Sequence, residues 1–274
     1  MIPSISNISL PSQDHEEYLA ALSDLGFKGL EVAWSKVWGS LHNITPARVN
    51  IYRRKVEAAG LRIIGMHSLY YGTSGMALFQ DYTAEDRALH HLVYLSKICA
   101  DLGGSFLILG SPSVRRRGQM TTADADSRFS TFLYKLSDLL EQTDASGTMR
   151  LGLEALPQTE SDYLNTSKHA LRLVEHLQTH RICLHLDAKS LVAAGEATAD
   201  FLSKAAQQAI HFHVNQPGFG VLRHDDQVDH CKLGALLREN GYAQSVSIEQ
   251  TITNPEDILG PIRKSREILA ECYA

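Results

Sequence analysis

The chain alternates short apolar segments with longer segments in which apolar residues recur every three or four positions. The short segments are rich in Ile, Leu and Val, which is typical of buried strands. In chain order they are ISNISL, KGLEVAW, LRIIGMH, SFLILG, MRLGLEAL, RICLHLD, IHFHV and QSVSIEQT. The pattern therefore predicts eight strands.

Each predicted strand is followed by a segment with helical spacing, such as TPARVNIYRRKVEAAG, which ends at Gly60, or LVAAGEATADFLSKAAQQ after the sixth strand. The repeat is roughly 34 residues, the size of one strand–helix unit with its loops. Eight such units in 274 residues predict a (β/α)8 TIM barrel, an α/β fold that forms a single domain over residues 1–274. An open doubly wound sheet is the alternative, but SLPSQDHEE after the first strand is not a glycine-rich phosphate turn.

Composition limits the partners and the location. The net charge of −5 gives no overall attraction to nucleic acid, and no run of about 18 apolar residues could span a membrane. No signal-peptide pattern opens the chain. The cysteines lack zinc-type spacing and are expected to be free thiols; they are Cys99, Cys183, Cys231 and Cys272. We therefore expect a cytoplasmic protein with neither nucleic-acid nor membrane partners.

Polar residues close several predicted strands, where an aliphatic residue would be expected. They are Glu31, His67, Glu154, Asp187, His213 and Glu249. In a TIM barrel the carboxyl ends of the strands carry the active site, and isolated buried charges are costly. Carboxylates on three of the last four strands and a histidine on the fourth therefore need a common partner, and a divalent cation is the simplest one.

Strand periodicity places these side chains on the inner face of the barrel. His185 and Asp187 share one face in RICLHLD, and His211 and His213 share one in IHFHV. His213, nearer the strand end, is the expected metal ligand, and His211 is expected to be a buried supporting residue.

Each residue taken alone also has an ordinary structural role. Glu154 or Glu249 could bond a loop amide, and Asp187 could cap the helix that begins near Ser190. His213 could be a hydrogen-bonded core histidine. The joint pattern makes a metal site as well supported as these separate roles, because four such coincidences at corresponding strand ends are hard to produce independently.

At these positions the chain resembles the xylose isomerase-like TIM barrel superfamily, in the sugar phosphate isomerase/epimerase branch that includes ketose 3-epimerases and inosose dehydratases. The resemblance covers essentially the whole chain. The motifs that carry it are LGLEALPQTE, LHLD, HFHVN and VDHCKLGALLRENGYAQSVSIEQ, and GSPSVRRRG after the fourth strand adds to them.

The resemblance implies one divalent ion held by Glu154, Asp187, His213 and Glu249. Three oxygen ligands and one imidazole suit Mn²⁺, our first expectation, or Mg²⁺ or Co²⁺. By the same resemblance, Glu154 and Glu249 are the catalytic residues that exchange a proton with a carbohydrate substrate, through an enediolate that the metal stabilises. Glu160 matches a position that contacts substrate oxygens in related epimerases.

Further substrate-binding candidates have less support. They are His67 and Tyr70 after the third strand, Trp34 after the second, His185 before Asp187, and Arg223 in the loop after His213. Trp34 and its neighbour Trp38 could instead pack in the core. The run Arg115 to Arg117 could bind an anion, but a solvated loop is favoured. His230 is expected to cap the helix that follows it.

Two departures from the family pattern leave the reaction open. Ser190 stands where many relatives carry a histidine, and Gln216 stands where an acid is usual. We expect a metal-dependent sugar epimerase or isomerase of carbohydrate metabolism, with a dehydratase of a keto-sugar or inosose as the alternative. A metal-dependent endonuclease and a non-catalytic binding barrel are less favoured. A homo-oligomer would fit the branch.

Overall fold

Eight parallel strands form a closed barrel in the computed structural model, which describes residues 1–12, 15–252 and 254–274. The strands are β1 (Ile2–Ser6), β2 (Gly29–Ala33), β3 (Arg62–His67), β4 (Phe106–Leu109), β5 (Arg150–Glu154), β6 (Ile182–Asp187), β7 (Ala209–Val214) and β8 (Ser245–Ile248). Each strand pairs with the next along the chain, and β8 pairs with β1, with Ser4 opposite Ser247. The predicted TIM barrel is confirmed, and the open sheet is excluded because β1 and β8 are hydrogen-bonded.

Helices connect the strands and cover the outside of the barrel. They are α1 (Leu19–Asp24), α2 (Trp34–Trp38), α3 (Pro46–Ala58), α4 (Tyr82–Asp101), α5 (Thr122–Thr143), α6 (Ser167–Leu177), α7 (Ala188–Ala193), α8 (Ala199–Ala205), α9 (His230–Glu239) and α10 (Leu259–Tyr273). Several begin at side-chain caps, such as Thr45 before Pro46 in α3 and Asp81 before α4.

Two details of the predicted helices are wrong. The segment after β6 was expected to be one helix, but Gly195 adopts a positive φ of 66° after α7, and Thr198 caps α8 separately. The cap of α9 is Asp229, whose side chain accepts a hydrogen bond from the amide of Lys232, whereas His230 is buried and bonds the hydroxyl of Tyr273.

The interior of the barrel changes from apolar to polar towards the carboxyl ends of the strands. Ile64, Phe106, Ile108 and Ile210 form a separate apolar cluster near the amino ends. The ring of His211 stacks on Phe106, with their centroids 4.7 Å apart. Buried polar side chains lie towards the carboxyl ends of the strands, among them His67, Glu154, His185, Asp187 and His213, and the site lies there.

The expectation of four free cysteines is wrong for one pair. Cys231 on α9 and Cys272 on α10 form a disulfide, with their Cα atoms 4.3 Å apart. Cys99 and Cys183 are free. The pairing was not visible in the sequence because the two residues are 41 positions apart and meet only when α9 and α10 pack together. None of the described helices has the length and apolar character needed to cross a membrane.

Candidate metal centre

The ends of the last four strands bring four predicted ligands together. Glu154 closes β5, Asp187 closes β6, His213 is the penultimate residue of β7, and Glu249 directly follows β8. Neighbouring parallel strands hold the set in place: Asp187 is opposite His213, and the amide of Glu249 donates to the carbonyl of Val214. All four side chains are buried, with exposures of 8, 1, 1 and 8% in chain order.

One ring nitrogen of His213 faces the three carboxylates. Its Nδ1 is 3.4 Å from Oε2 of Glu249 and 3.8 Å from both Oε1 of Glu154 and Oδ2 of Asp187. This buried nitrogen has no hydrogen-bond partner among the described residues. Metal–ligand bonds of about 2 Å separate neighbouring ligand atoms by about 3–4 Å, which is the spacing observed here.

The other ring nitrogen of His213 is held from below by Glu31 on β2. Nε2 lies 3.0 Å and 3.1 Å from the two carboxylate oxygens of Glu31, which is fully buried. Because an ionised carboxylate only accepts hydrogen bonds, Nε2 carries the proton, and Nδ1 of the neutral ring is left with a free lone pair. Glu31 therefore fixes both the tautomer and the orientation that a metal ligand requires.

Asn215 fixes two of the carboxylates. Its Nδ2 donates to Oδ2 of Asp187 at 2.6 Å and to Oε2 of Glu249 at 2.8 Å, and its Oδ1 accepts from the amide of Lys189. These are the same two oxygens that face Nδ1 of His213. The second oxygen of Asp187 accepts from the amide of Ser190 and caps α7, so the predicted capping role of Asp187 is confirmed, and its other oxygen is left facing His213.

The buried charges influence one another strongly. Burial is the largest influence on His213 and favours its neutral form, but Glu31 and Glu249 outweigh it and raise the pKa of His213 well above its usual value. Burial raises the pKa of Glu154. Burial alone would also raise the pKa of Glu249, but attraction to His213 and His67 outweighs it and lowers this pKa to about 2. The carboxylates of Glu154, Asp187 and Glu249 thus create a negative potential that favours a cation at the point that Nδ1 of His213 faces.

Two further histidines adjoin the centre. Nδ1 of His67 lies 3.4 Å from Oε1 of Glu249, and its Nε2 is 2.5 Å from the hydroxyl of Ser6. His185 lies beneath Asp187, with its ring centroid 4.3 Å from that of His213. Both nitrogens of His185 lack a partner among the described residues, and a ring nitrogen lies within 4.8 Å of ligand atoms of Glu154 and Asp187.

A cavity of about 310 Å³ opens above the centre. Glu154 and Glu249 reach it, and the other lining residues are His67, Ser68, Tyr70, Tyr71, Gly110, Ser111, Pro112, Ser113, Leu156, Glu160, Lys189 and Phe219. The volume lies at the small end of ligand sites, which suits a small molecule such as a monosaccharide. The donor set fits a divalent cation, because three carboxylate oxygens and one unpaired imidazole nitrogen converge at the cavity floor.

A model of the xylose isomerase-like TIM barrel family matches residues 19–272. The chain belongs to this family. No curated protein sequence is detectably similar to the chain.

Solved structures of xylose isomerase-like proteins share the fold at low sequence identity. D-psicose 3-epimerase from Clostridium cellulolyticum H10, solved with D-tagatose, is 15% identical, with a TM-score of 0.80 over 98% of this chain and 97% of that one. The 3-keto-D-glucoside 4-epimerase of E. coli is 17% identical, with a TM-score of 0.77 over 99% and 100%. The IolI protein, solved with a bound zinc atom, is 14% identical, with a TM-score of 0.75 over 100% and 98%.

The predicted substrate-binding residues divide into three groups in this xylose isomerase-like barrel. His67, Tyr70 and Glu160 line the cavity, and His185 is buried beneath it. Trp34 is not brought to the cavity: it is buried, and its Nε1 donates to the carbonyl of Leu69. Arg223 is exposed and lies outside the lining. These positions place Trp34 in the core and Arg223 at the surface.

Lys189 is a cavity residue that sequence reasoning missed. Its Nζ pairs with Oε1 of Glu160 at 2.9 Å and lies 4.8 Å from the ring centroid of Phe219. Burial favours its neutral form, but Asp187, Glu154 and Glu160 together raise the pKa of Lys189. It therefore carries a positive charge beside the candidate metal centre, at the position before Ser190.

Arg115 corrects the expectation of a solvated arginine loop. Its side chain is fully buried, and Nη1 donates to the carbonyl of Glu154 at 2.5 Å. Burial lowers the pKa of Arg115 to about 10, against the attraction of Glu154. Arg115 thus holds the backbone of a predicted ligand, while Arg117 bonds Asp162 in the loop that follows β5.

Proposed function

We propose that this protein is a divalent-metal-dependent epimerase or isomerase of a sugar or sugar derivative, acting by proton transfer at a carbon next to a carbonyl. The observation that carries the proposal is the unpaired Nδ1 of His213, which faces oxygens of Glu154, Asp187 and Glu249 at the floor of a cavity of about 310 Å³. The sugar epimerases among the structural neighbours support the same class of reaction.

Glu154, Asp187, His213 and Glu249 would hold the cation. Mn²⁺ is the expected ion, with Mg²⁺ or Co²⁺ as alternatives, because hard oxygen ligands predominate; the zinc of the IolI protein adds Zn²⁺ as a candidate. A bound cation would polarise the substrate carbonyl and stabilise the negative charge of the enediolate.

Glu154 and Glu249 are positioned to move the proton. They come from β5 and from the end of β8, and both reach the cavity from the floor. We infer that one carboxylate removes the proton from one face of the substrate carbon and that the other returns a proton to the opposite face. His67, beside Glu249, would keep that carboxylate oriented through its ring nitrogen.

Lys189 and Glu160 would orient the substrate. Their ion pair lies on the cavity wall beside the ligands, so a hydroxyl could bond to either charge. The ring of Phe219 and the side chain of Leu156 supply apolar surface on the same wall for the carbon skeleton.

The experiment is solvent exchange. The protein, loaded with Mn²⁺, is incubated in deuterated water with a panel of free ketoses, and deuterium on the sugar is read by NMR and mass spectrometry. We expect incorporation at one carbon by the wild type and loss of it in Glu154→Gln and in Glu249→Gln. Glu175→Gln, an exposed acid on α6, is the matched control and should exchange normally.

Retained epimerisation in either active-site variant, or exchange at the wild-type rate in both, would refute the proton-transfer roles. A product lighter than its substrate by one water would instead identify the dehydratase alternative, which uses the same proton abstraction.

A further inference from the structure

Helices α9 and α10 bring together a second cluster of side chains of the types that can bind metals, on the outer wall of the barrel. Cys231 lies in the first turn of α9, and Cys272 lies near the end of α10. The two helices touch at backbone level because α9 has Gly234 at the crossing, where a Cβ would collide with the carbonyl oxygen of Cys272. This close approach brings the two sulfur atoms together.

One more candidate ligand adjoins the cysteine pair, and an acidic residue lies next to that ligand. A ring nitrogen of His224 lies within 4.8 Å of both sulfurs, and Nε2 of His224 is 3.2 Å from Oε2 of Glu271. His224 and Glu271 are more than half exposed, Cys231 is half-buried, and Cys272 is buried. The group is therefore open to ions and small molecules on one side and fixed by helix packing on the other.

We propose that Cys231, Cys272 and His224 form a redox-controlled zinc site, which the carboxylate of Glu271, beside His224, would complete. In the reduced protein the two thiolates, the imidazole and the carboxylate would bind one Zn²⁺; in the oxidised protein the Cys231–Cys272 disulfide removes both sulfur ligands and releases the ion. Two sulfurs, one nitrogen and one oxygen make up a four-coordinate set of the kind that zinc accepts.

The electrostatics favour a thiolate at Cys231. The amino end of α9, a helix of ten residues, places positive helix-dipole charge beside it. Arg238 adds a second positive charge near the pair, because its Nη1 donates to the carbonyl of Cys272 at 2.6 Å. The negative charges of Asp229 and Glu271 disfavour a thiolate at Cys231. A cation bound between the thiolate and Glu271 would remove the repulsion between these two groups.

The redox step is a thiol–disulfide exchange with a low-molecular-weight disulfide. The Cys231 thiolate attacks one sulfur of the disulfide and expels the first small thiolate. The Cys272 thiolate then attacks Cys231 in the mixed disulfide and expels the second. Two protein thiolates are oxidised, one small disulfide is reduced, two protons are taken up by the leaving thiolates, and the Zn²⁺ is released.

This site shares no residue with the barrel centre, and the two can be told apart by the ligand atoms. The probe is Co²⁺, which gives an intense near-ultraviolet charge-transfer absorption only when thiolates bind it. Reduced wild-type protein titrated with Co²⁺ should show this absorption, saturate it by two added ions per chain, because the barrel centre also takes up Co²⁺, and lose it on addition of Zn²⁺. Protein oxidised with a small disulfide should not show it.

Variants assign the ligands. Cys231→Ser and Cys272→Ser should each abolish the charge-transfer absorption that two thiolates give. His224→Ala, at an exposed position, should weaken Co²⁺ binding about tenfold or more. Cys183→Ser is the matched control, since Cys183 is a partly exposed free cysteine on β6 that packs against the apolar cluster of Ile64, Phe106, Ile108 and Ile210, and it should leave the titration unchanged. Absence of the absorption in reduced wild type, or its persistence in the Cys231→Ser, Cys272→Ser double variant, would overturn the proposal.

Discussion

Asn215 offers a sharp test of how the metal centre is held. In Asn215→Ala, Asp187 and Glu249 each lose one hydrogen bond from Nδ2, of 2.6 and 2.8 Å. Hydrogen bonds to charged groups are worth about 1.5–3 kcal/mol each, but only the part that differs between metal-free and metal-bound protein affects affinity. Losses of partners behind metal ligands cost about 10–100-fold in affinity, or about 1.4–2.8 kcal/mol at 1.4 kcal/mol per tenfold.

The assay is isothermal titration calorimetry with Mn²⁺ at neutral pH. Gln216→Ala is the matched control, because the Gln216 amide next to Asn215 donates to the carbonyl of Val221 and to no ligand oxygen. We expect the control to bind Mn²⁺ as the wild type does. Wild-type affinity in a folded Asn215→Ala protein, or an equal loss in Gln216→Ala, would refute the role assigned to Asn215.

Three further predictions follow from the same geometry. Because the pKa of His213 is raised, a proton competes with the metal for Nδ1, and Mn²⁺ affinity should fall as pH decreases through the neutral range. Calorimetry in buffers of different ionisation enthalpy should show that protons are released when Mn²⁺ binds. Mn²⁺ binding that does not depend on pH would contradict this. Gly110→Ala should displace the Glu154 carboxylate, lowering Mn²⁺ affinity about tenfold or more with little change in Tm; unchanged affinity would show that Glu154 is not held there. Lys189→Met should raise KM more than it lowers kcat, measured on the substrate that the exchange experiment identifies; a change in kcat alone would rule out its orienting role.

The fold could be predicted because strand and helix periods alternate along the entire chain. The convergence of the four candidate ligands could be predicted as well, since Glu154, Asp187 and Glu249 are acids at the ends of buried strands and His213 lies near the end of another. Asn215 also carried a signal, because it continues the inward-facing positions of His211 and His213 one step further. Glu31 also carried a signal, because it is a lone charge in an apolar strand. Its contact with His213 could not be read from the sequence, because the two residues are 182 positions apart.

Other features depend on contacts that local sequence does not encode. Lys189 lies on a short helix and looks like an ordinary surface lysine until Glu160, 29 residues earlier, is placed beside it. Arg115 belongs to a run of three arginines whose burial differs: it is fully buried, while Arg117 bonds a neighbouring loop. The Cys231–Cys272 pair requires the packing of α9 on α10.

The most direct test of the central claim is anomalous diffraction from crystals grown with Mn²⁺, recorded near the manganese absorption edge. We expect one strong anomalous peak at the floor of the cavity, within bonding distance of Nδ1 of His213 and of carboxylate oxygens of Glu154, Asp187 and Glu249. A peak that is absent, or that lies away from Nδ1 of His213, would contradict it.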